Sequence, residues 1–334
     1  MCKLCTNHCQ LTINTFTNGK KFITGNKCER GAGKKLQSDL PNMVAYKNQL
    51  FNSIPLKGGG RARIGLPRAL NIYEMLPFWA ELFCSLGCDI VLSKVSSRNI
   101  YMKGQNTIPS DTVCYPAKLV HGHIIDLLEK DLDAIFYPCM SYTFDEGISD
   151  NCYNCPIVAY YPELIQANIP DIEKTHFLYP HLGIENHKLL AERMYEEFKN
   201  IIPKLSKKEM EKAVESAFKS YYEYREAVQQ EGSRVLKFAE ENNYPVIILA
   251  SRPYHIDPEI NHGLDKLLNS LQFIVVTEDA LYPVEGKLTI KILNQWGFHA
   301  RMYNAAKYVS QHKNMELVHL VSFGCGIDAI TTDE

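Results

Sequence analysis

The chain has 334 residues, 46% of them hydrophobic and 22% charged, proportions of a globular protein long enough to bury more than one core. A net charge of −2 argues against a general nucleic-acid binder, which needs a basic face to neutralise phosphates. No apolar run reaches the 18 or so residues of a membrane helix, and the start, MCKLCTNHCQ, is too polar for a signal peptide, so a cytoplasmic protein is expected, away from membranes.

Taken in order, residues 1–40 read as a small cysteine-rich module closing in the loop Cys28-Glu29-Arg30-Gly31-Ala32-Gly33. A polar stretch follows, and Lys57-Gly58-Gly59-Gly60 marks a flexible boundary. Residues 60–185 read as a first α/β domain. RARIGL (61–66) is a strand, 72–86 a helix with apolar residues at helical spacing, and DIVLS (89–93) a second strand. VCYPAKLVHGHIIDLLEK is a turn into a helix, LDAIFYP (132–138) a buried strand, PIVAYY (156–161) a fourth strand and 162–168 a short helix. Residues 186–243 are charged and amphipathic and form a helical connector. Residues 244–334 begin a second α/β domain: strand PVIILAS (245–251), a helix near 260–270, strand FIVVT (273–277) and strand ELVHLVS (316–322), which runs into Phe323-Gly324-Cys325-Gly326. The chain stops soon after, which predicts an incomplete second domain and a fragment of a longer polypeptide. Alternating strands and helices predict mostly parallel, doubly wound sheets.

Eleven cysteines need an explanation. In a reducing compartment clustered cysteines read as metal ligands or redox groups rather than disulfides. Cys2, Cys5, Cys9 and Cys28 are spaced C-x2-C-x3-C-x18-C. Four thiolates so placed can wrap one centre, and tetrahedral zinc and an iron–sulfur cluster satisfy the set equally. The bland reading is four free surface thiols, and His8 is a substitute ligand.

A second set shares a setting rather than a spacing. Cys114 precedes a helix, Cys139 closes the strand LDAIFYP, Cys152 and Cys155 flank Tyr153-Asn154 just before Pro156, and Cys325 sits in a Gly-Cys-Gly turn after a strand. Ligands of open α/β sheets collect at the carboxyl ends of strands, so Cys139 and Cys325 are well placed, one from each unit, and Cys114 joins them from its loop. Each cysteine alone is more often a small buried hydrophobe; three or more at strand-end turns favour a shared cluster between the two units. Cys84 and Cys88, at i and i+4 near a helix end, read as packing.

Other candidates carry less. Lys118, His121 and His123 follow Cys114, but histidines two apart cannot share a helical face. Arg252, in Ser251-Arg-Pro-Tyr-His255, follows a strand end where it could bind an anion or a cluster sulfur, and a helix-capping turn explains the segment equally well. Asn261, His262 and Gly263 open a helix, and Glu146 and Asp150 are loop carboxylates. No Walker A, G-x-G-x-x-G or G-x-S-x-G pattern occurs, so any ATP-driven step must come from another domain or partner. No catalytic residue is identified.

CKLCTNHCQLTI with GNKCERGAG, IGLPRALNIYEMLPFW, DTVCYPAKLVHGH, IFYPC, YNCPIVAYYPE, SRPYHIDPEINHGL and FGCGIDAITTD are long, unusual segments covering nearly the whole chain. Through them it resembles the uncharacterised domain of large CoA-substrate-specific enzyme activase proteins, relatives of the 2-hydroxyacyl-CoA dehydratase components and double-cubane cluster proteins. The resemblance implies two Rossmann-like domains with helical connections, and a 4Fe-4S or double-cubane cluster held by three cysteines per cubane. Electrons would arrive from an ATP-hydrolysing activase of the actin-like class. Cys114, Cys155 and Cys325 match the cluster ligands best; Cys139 and Cys152 are extra, completing the site or serving a second cubane. The N-terminal module is absent from the dehydratase subunits, so its role, with zinc or a second cluster, does not transfer.

The leading reading is therefore an iron–sulfur redox component resembling a dehydratase or double-cubane reductase subunit. If it is an enzyme, it acts on an acyl-CoA or other small substrate, as a reductase or in a dehydratase-like reaction, in a homo- or heterodimer like the paired subunits of its relatives. The alternatives are a metal-stabilised scaffold that contacts an activase and a zinc-dependent enzyme with an open water position.

Overall fold

The computed structural model describes residues 1–334 except 4–7, 29, 34–37, 285–287 and 289. A hairpin comes first, β1 (Thr12–Thr15) antiparallel to β2 (Lys21–Thr24), followed by α1 (Met43–Ser53), whose N-cap Asn42 accepts from the N–H groups of Val44 and Ala45. The first large sheet is built from β3 (Arg63–Leu66), α2 (Ile72–Ser85), β4 (Asp89–Leu92), α3 (Arg98–Gly104), α4 (Tyr115–Leu128), β5 (Ala134–Phe136), α5 (Pro156–Asn168) and β6 (His176–Leu178). Its strand order is β4-β3-β5-β6, all parallel. Two helices follow, α6 (His187–Phe198) and α7 (Lys207–Glu241). The second sheet comprises β7 (Val246–Ala250), α8 (Pro258–Asn261), α9 (Leu264–Ser270), β8 (Ile274–Thr277), α10 (Gly297–Ser310), β9 (Met315–His319) and α11 (Gly326–Asp333). Its order is β8-β7-β9, again parallel.

Both sheets therefore grow first to one side of their initial strand and then to the other. The crevice beyond the strand ends where growth reverses is where such sheets take ligands. In the second sheet the reversal lies between β7 and β9, so the loops that start at Ser251 and Leu320 flank it.

α7 joins the two halves. Ser206 and Glu209 form a reciprocal capping box at its start, and its 35 residues extend about 52 Å. Met210, Val214, Ala217, Phe218 and Tyr221 pack into the core of the first sheet, and Val228, Val235 and Ala239 into that of the second. One amphipathic stripe thus serves two cores. The first core is aromatic: Trp79 and Phe83 meet Phe136 at 4.9 and 5.4 Å between ring centroids, edge on.

One expected strand is a helix. PIVAYY is the first half of α5, not a fourth strand, and the helix expected over 162–168 is its continuation. Pro156 occupies N1, where its fixed φ and missing N–H favour a helix start, and Pro162 is accommodated within the helix. The fourth strand of the sheet is instead β6, at His176–Leu178.

Candidate functional site

Three cysteines occupy equivalent positions in three different loops. Cys114 is the N-cap of α4, Cys155 of α5 and Cys325 of α11. The sequences Cys-Tyr-Pro and Cys-Pro help to explain the first two: a proline in the first turn of each helix fixes its entry, and Pro156 also holds Cys155 extended, with ψ values of 150° at Cys114 and 154° at Cys155. Cys325 is delivered by Gly324, whose φ of +83° suits glycine. A Cβ added at Gly324 would lie 2.8 Å from the Thr112 carbonyl oxygen, so the turn that carries Cys325 closes directly onto the loop that carries Cys114.

All three thiols are half-buried and act on one another. Burial pushes the Cys114 thiol up, the N–H of Ala117 and the Arg252 guanidinium pull it back, and charge on Cys155 or Cys325 raises it again. Burial likewise raises Cys155, against the N–H groups of Val158 and Ile157 and the Arg252 guanidinium, with Cys325 adding to the rise. The first-turn N–H groups and the positive ends of the helix dipoles favour negative charge at these sulfurs.

Arg252 follows β7 and is buried. It donates to both carboxylate oxygens of Asp328, through Nη2 at 2.6 Å and through Nη1, and Nη1 reaches Cys325 Sγ at 3.9 Å. His299 Nε2 lies 3.3 Å from the same nitrogen and Ser322 Oγ 3.4 Å from Nη2. Burial alone would raise the Asp328 carboxyl, but His299 and Arg252 hold it far below the ordinary carboxylate range. The backbone N–H of Arg252 donates to His255 Nδ1 at 2.9 Å, and burial lowers His255 to about 3, keeping it neutral. Arg252 Nε is buried and has no hydrogen-bond partner among the described residues; a donor left so costs about 1–3 kcal/mol.

The remaining candidates have partners of their own, although the Tyr137 hydroxyl feels charge on Cys139 as well as on Cys155 and Cys114. Cys139 is buried in strand-like pairing, its N–H donating to Pro180 O and its carbonyl accepting from Leu182, and burial with the nearby Glu163 charge pushes its thiol up to about 12. Cys152 accepts from Thr143 N–H through its carbonyl and lies near Asp145 and Glu185. The thiol charges acting most on Cys114 and Cys155 come from within their own trio. Cys2 and Cys9 are buried and share a backbone hydrogen bond of 2.8 Å, Cys28 is exposed, and Cys5 lies outside the described residues. His8 Nδ1 approaches Cys2 O at 3.3 Å. Cys84 packs at the edge of the first core and Cys88 within it. Among the described residues no group of three or more His, Cys, Asp and Glu side chains forms a site for a metal ion.

His121 and His123 are buried structural groups, bonded to Thr107 and Tyr161 and to Ser93 and Ser96 respectively. Lys118 donates to Asp111 O, Asp150 accepts from Asn294 N–H, and Glu146 is held by Arg225 and Arg301. Asn261 donates to His255 O, and His262 terminates α8 at φ +56°.

Sequence reasoning missed Asp328 and His299, which lie 76 and 47 positions from Arg252, and the buried set Lys47, Glu74, Arg225, Asp279 and Arg301. Charged residues within apolar helical stretches, such as Glu74 in IYEMLPFW, were the only local signal for the latter.

A family model described as the CoA enzyme activase uncharacterised domain (DUF2229) matches residues 63–281, about two thirds of the chain. The match includes Cys114, Cys155 and Arg252 and ends before Cys325. No curated protein matches the chain.

Proposed function

The chain belongs to the CoA enzyme activase uncharacterised domain family, and on that premise we propose that it is an iron–sulfur redox component whose cluster is held by Cys114, Cys155 and Cys325. What supports this reading is that each of the three cysteines caps a helix N-terminus and that the Cys114 and Cys155 thiols both feel charge on Cys325. Zinc, with Zn–S near 2.3 Å, would draw tetrahedral sulfurs to about 3.8 Å of one another and need a fourth ligand. A cubane takes each thiolate on a different iron, which suits ligands from three separate loops.

A 4Fe-4S cluster so held would supply single-electron transfer and keep one iron without a protein ligand. The chain's own residues do the rest. Helix N-termini and the Ala117, Val158 and Ile157 N–H groups offset the negative charge, half-burial limits water, and Arg252 with Asp328 closes one side. Each sheet, with its parallel order and reversal point, is read as a Rossmann-like half, and the electron source as an activase-type partner that hydrolyses ATP, in keeping with the family's name. A small substrate such as an acyl-CoA thioester belongs to this reading, as does a second centre, zinc or iron–sulfur, on Cys2, Cys5, Cys9 and Cys28.

Anaerobic reconstitution followed by iron and acid-labile sulfide analysis tests the proposal. Cys114→Ser, Cys155→Ser and Cys325→Ser should each lower the iron and sulfide bound, whereas Cys139→Ser and Cys152→Ser should leave them near wild type. Wild-type protein that takes up only zinc would refute the reading.

A further inference from the structure

We infer that Arg252, held in place by Asp328, is the positioning residue that gives Cys325 a positive partner and sets the electron affinity of the three-cysteine site. The inference rests on the cluster reading above for its redox consequence, but the contact itself belongs to the protein.

The two carboxylate oxygens of Asp328 take both terminal nitrogens of the guanidinium, a forked geometry that fixes the plane of the group and not merely its position. That orientation brings Nη1 to 3.9 Å from Cys325 Sγ. Arg252 and Cys325 lie on the loops after β7 and β9, the strands between which the second sheet reverses its growth, and Asp328 stands in the first turn of the helix that Cys325 caps. Cys325 and the anchor of its cationic partner are thus carried by one short helix. Arg252 also acts electrostatically on Cys114 and Cys155, which places it beside the whole trio. Its Nε, buried and without a partner among the described residues, is a donor left over after Asp328 is satisfied. Asp328 fixes the guanidinium while Nη1 keeps its 3.9 Å approach to Cys325 Sγ. A positive charge and an N–H donor next to a thiolate favour the more negative state of whatever that thiolate holds.

The test uses the full chain as wild type, Arg252→Gln and Arg252→Lys. In reconstituted protein, Arg252→Gln should retain iron and shift the reduction equilibrium at least tenfold towards the oxidised form, 59 mV lower for a one-electron couple, with Arg252→Lys between the two. In metal-free protein, Arg252→Gln should slow alkylation of Cys325 by iodoacetamide at pH 7 severalfold, read by mass spectrometry, and Arg252→Lys should restore part of the rate. Unchanged potential at equal iron content, or an unchanged alkylation rate, overturns the inference. Should wild-type protein bind no iron, the cluster reading fails while the alkylation rates still decide the role of Arg252. If Arg252→Gln does not fold, the lysine variant carries both measurements.

Discussion

Arg301 on α10 donates through Nη2 to Glu74 on α2 at 2.7 Å and to Glu146 at 2.6 Å. A single guanidinium, buried like Glu74, thereby ties the helix packed on the second sheet to the helix and strand-end loop of the first. Arg225 on α7 reaches Glu146 and Asp279, and Lys47 on α1 reaches Asp279 at 2.6 Å. The halves are joined by an ion network as well as by the apolar stripe of α7.

Glu74 and Arg301 should be energetically coupled. Glu74→Gln leaves Arg301 with Glu146 as its remaining carboxylate partner and should cost about 1.5–3 kcal/mol, measured by urea unfolding. Glu74→Leu combined with Arg301→Met should cost clearly less than the sum of the single changes, since no charge is stranded. Additive losses would show that the pair is not energetically coupled.

Acid should destabilise the metal-free protein in two stages. Burial lowers His123 to about 3 and His121 to about 4 from an ordinary 6.5. Both stay neutral when folded but protonate when unfolded, so the unfolded state binds more protons and stability falls as pH drops below 6.5, by up to about 1.4 kcal/mol per unit for each group. For Glu74, burial alone would raise the carboxyl, but Arg301 and Arg225 hold it at about 2 against 4.5. Its contribution is complete above 4.5 and disappears as pH falls towards 2. Urea midpoints from pH 7 to 5 should slope less in His123→Gln than in wild type, whatever their absolute values; parallel slopes would count against the assignment.

Helices α3 and α4 cross at two glycines. A Cβ on Gly122 would come within 1.8 Å of Ile100 O, and one on Gly104 within 2.3 Å of Gly122 N. Gly122→Ala should therefore destabilise by more than about 2 kcal/mol despite its better helix propensity. A thermal midpoint equal to wild type would mean that the helices separate easily.

Gly324→Ala combines a φ of +83° with a Cβ 2.8 Å from Thr112 O, pressing the Cys325 turn away from the Cys114 loop. Expected are reduced iron uptake on reconstitution and a stability loss of only about 1–2 kcal/mol. Full iron uptake would show that the spacing of the two loops is not critical.

The residues that make local structure were legible. IGL, DIVL, AIF, VIILA and IVVT are short apolar, β-rich runs, and all are strands; the 3.6-residue stripe of 186–242 announced α6 and α7. PIVAYY, a short apolar run, fits helix and strand alike, and the proline at its head, a helix-start signal, decides for the helix. β6, only three residues, and α10, with polar residues throughout, offered no such pattern.

Of the site that opened on eleven cysteines, sequence determined the chemistry available and the loops holding it, because loop position depends on neighbours along the chain. That Asp328 and His299 stand against Arg252, and Arg252 against Cys325, only the tertiary structure decided. Electrostatic coupling depends on distance through space, and residues 47 and 76 positions apart meet only after two strands and two helices have packed.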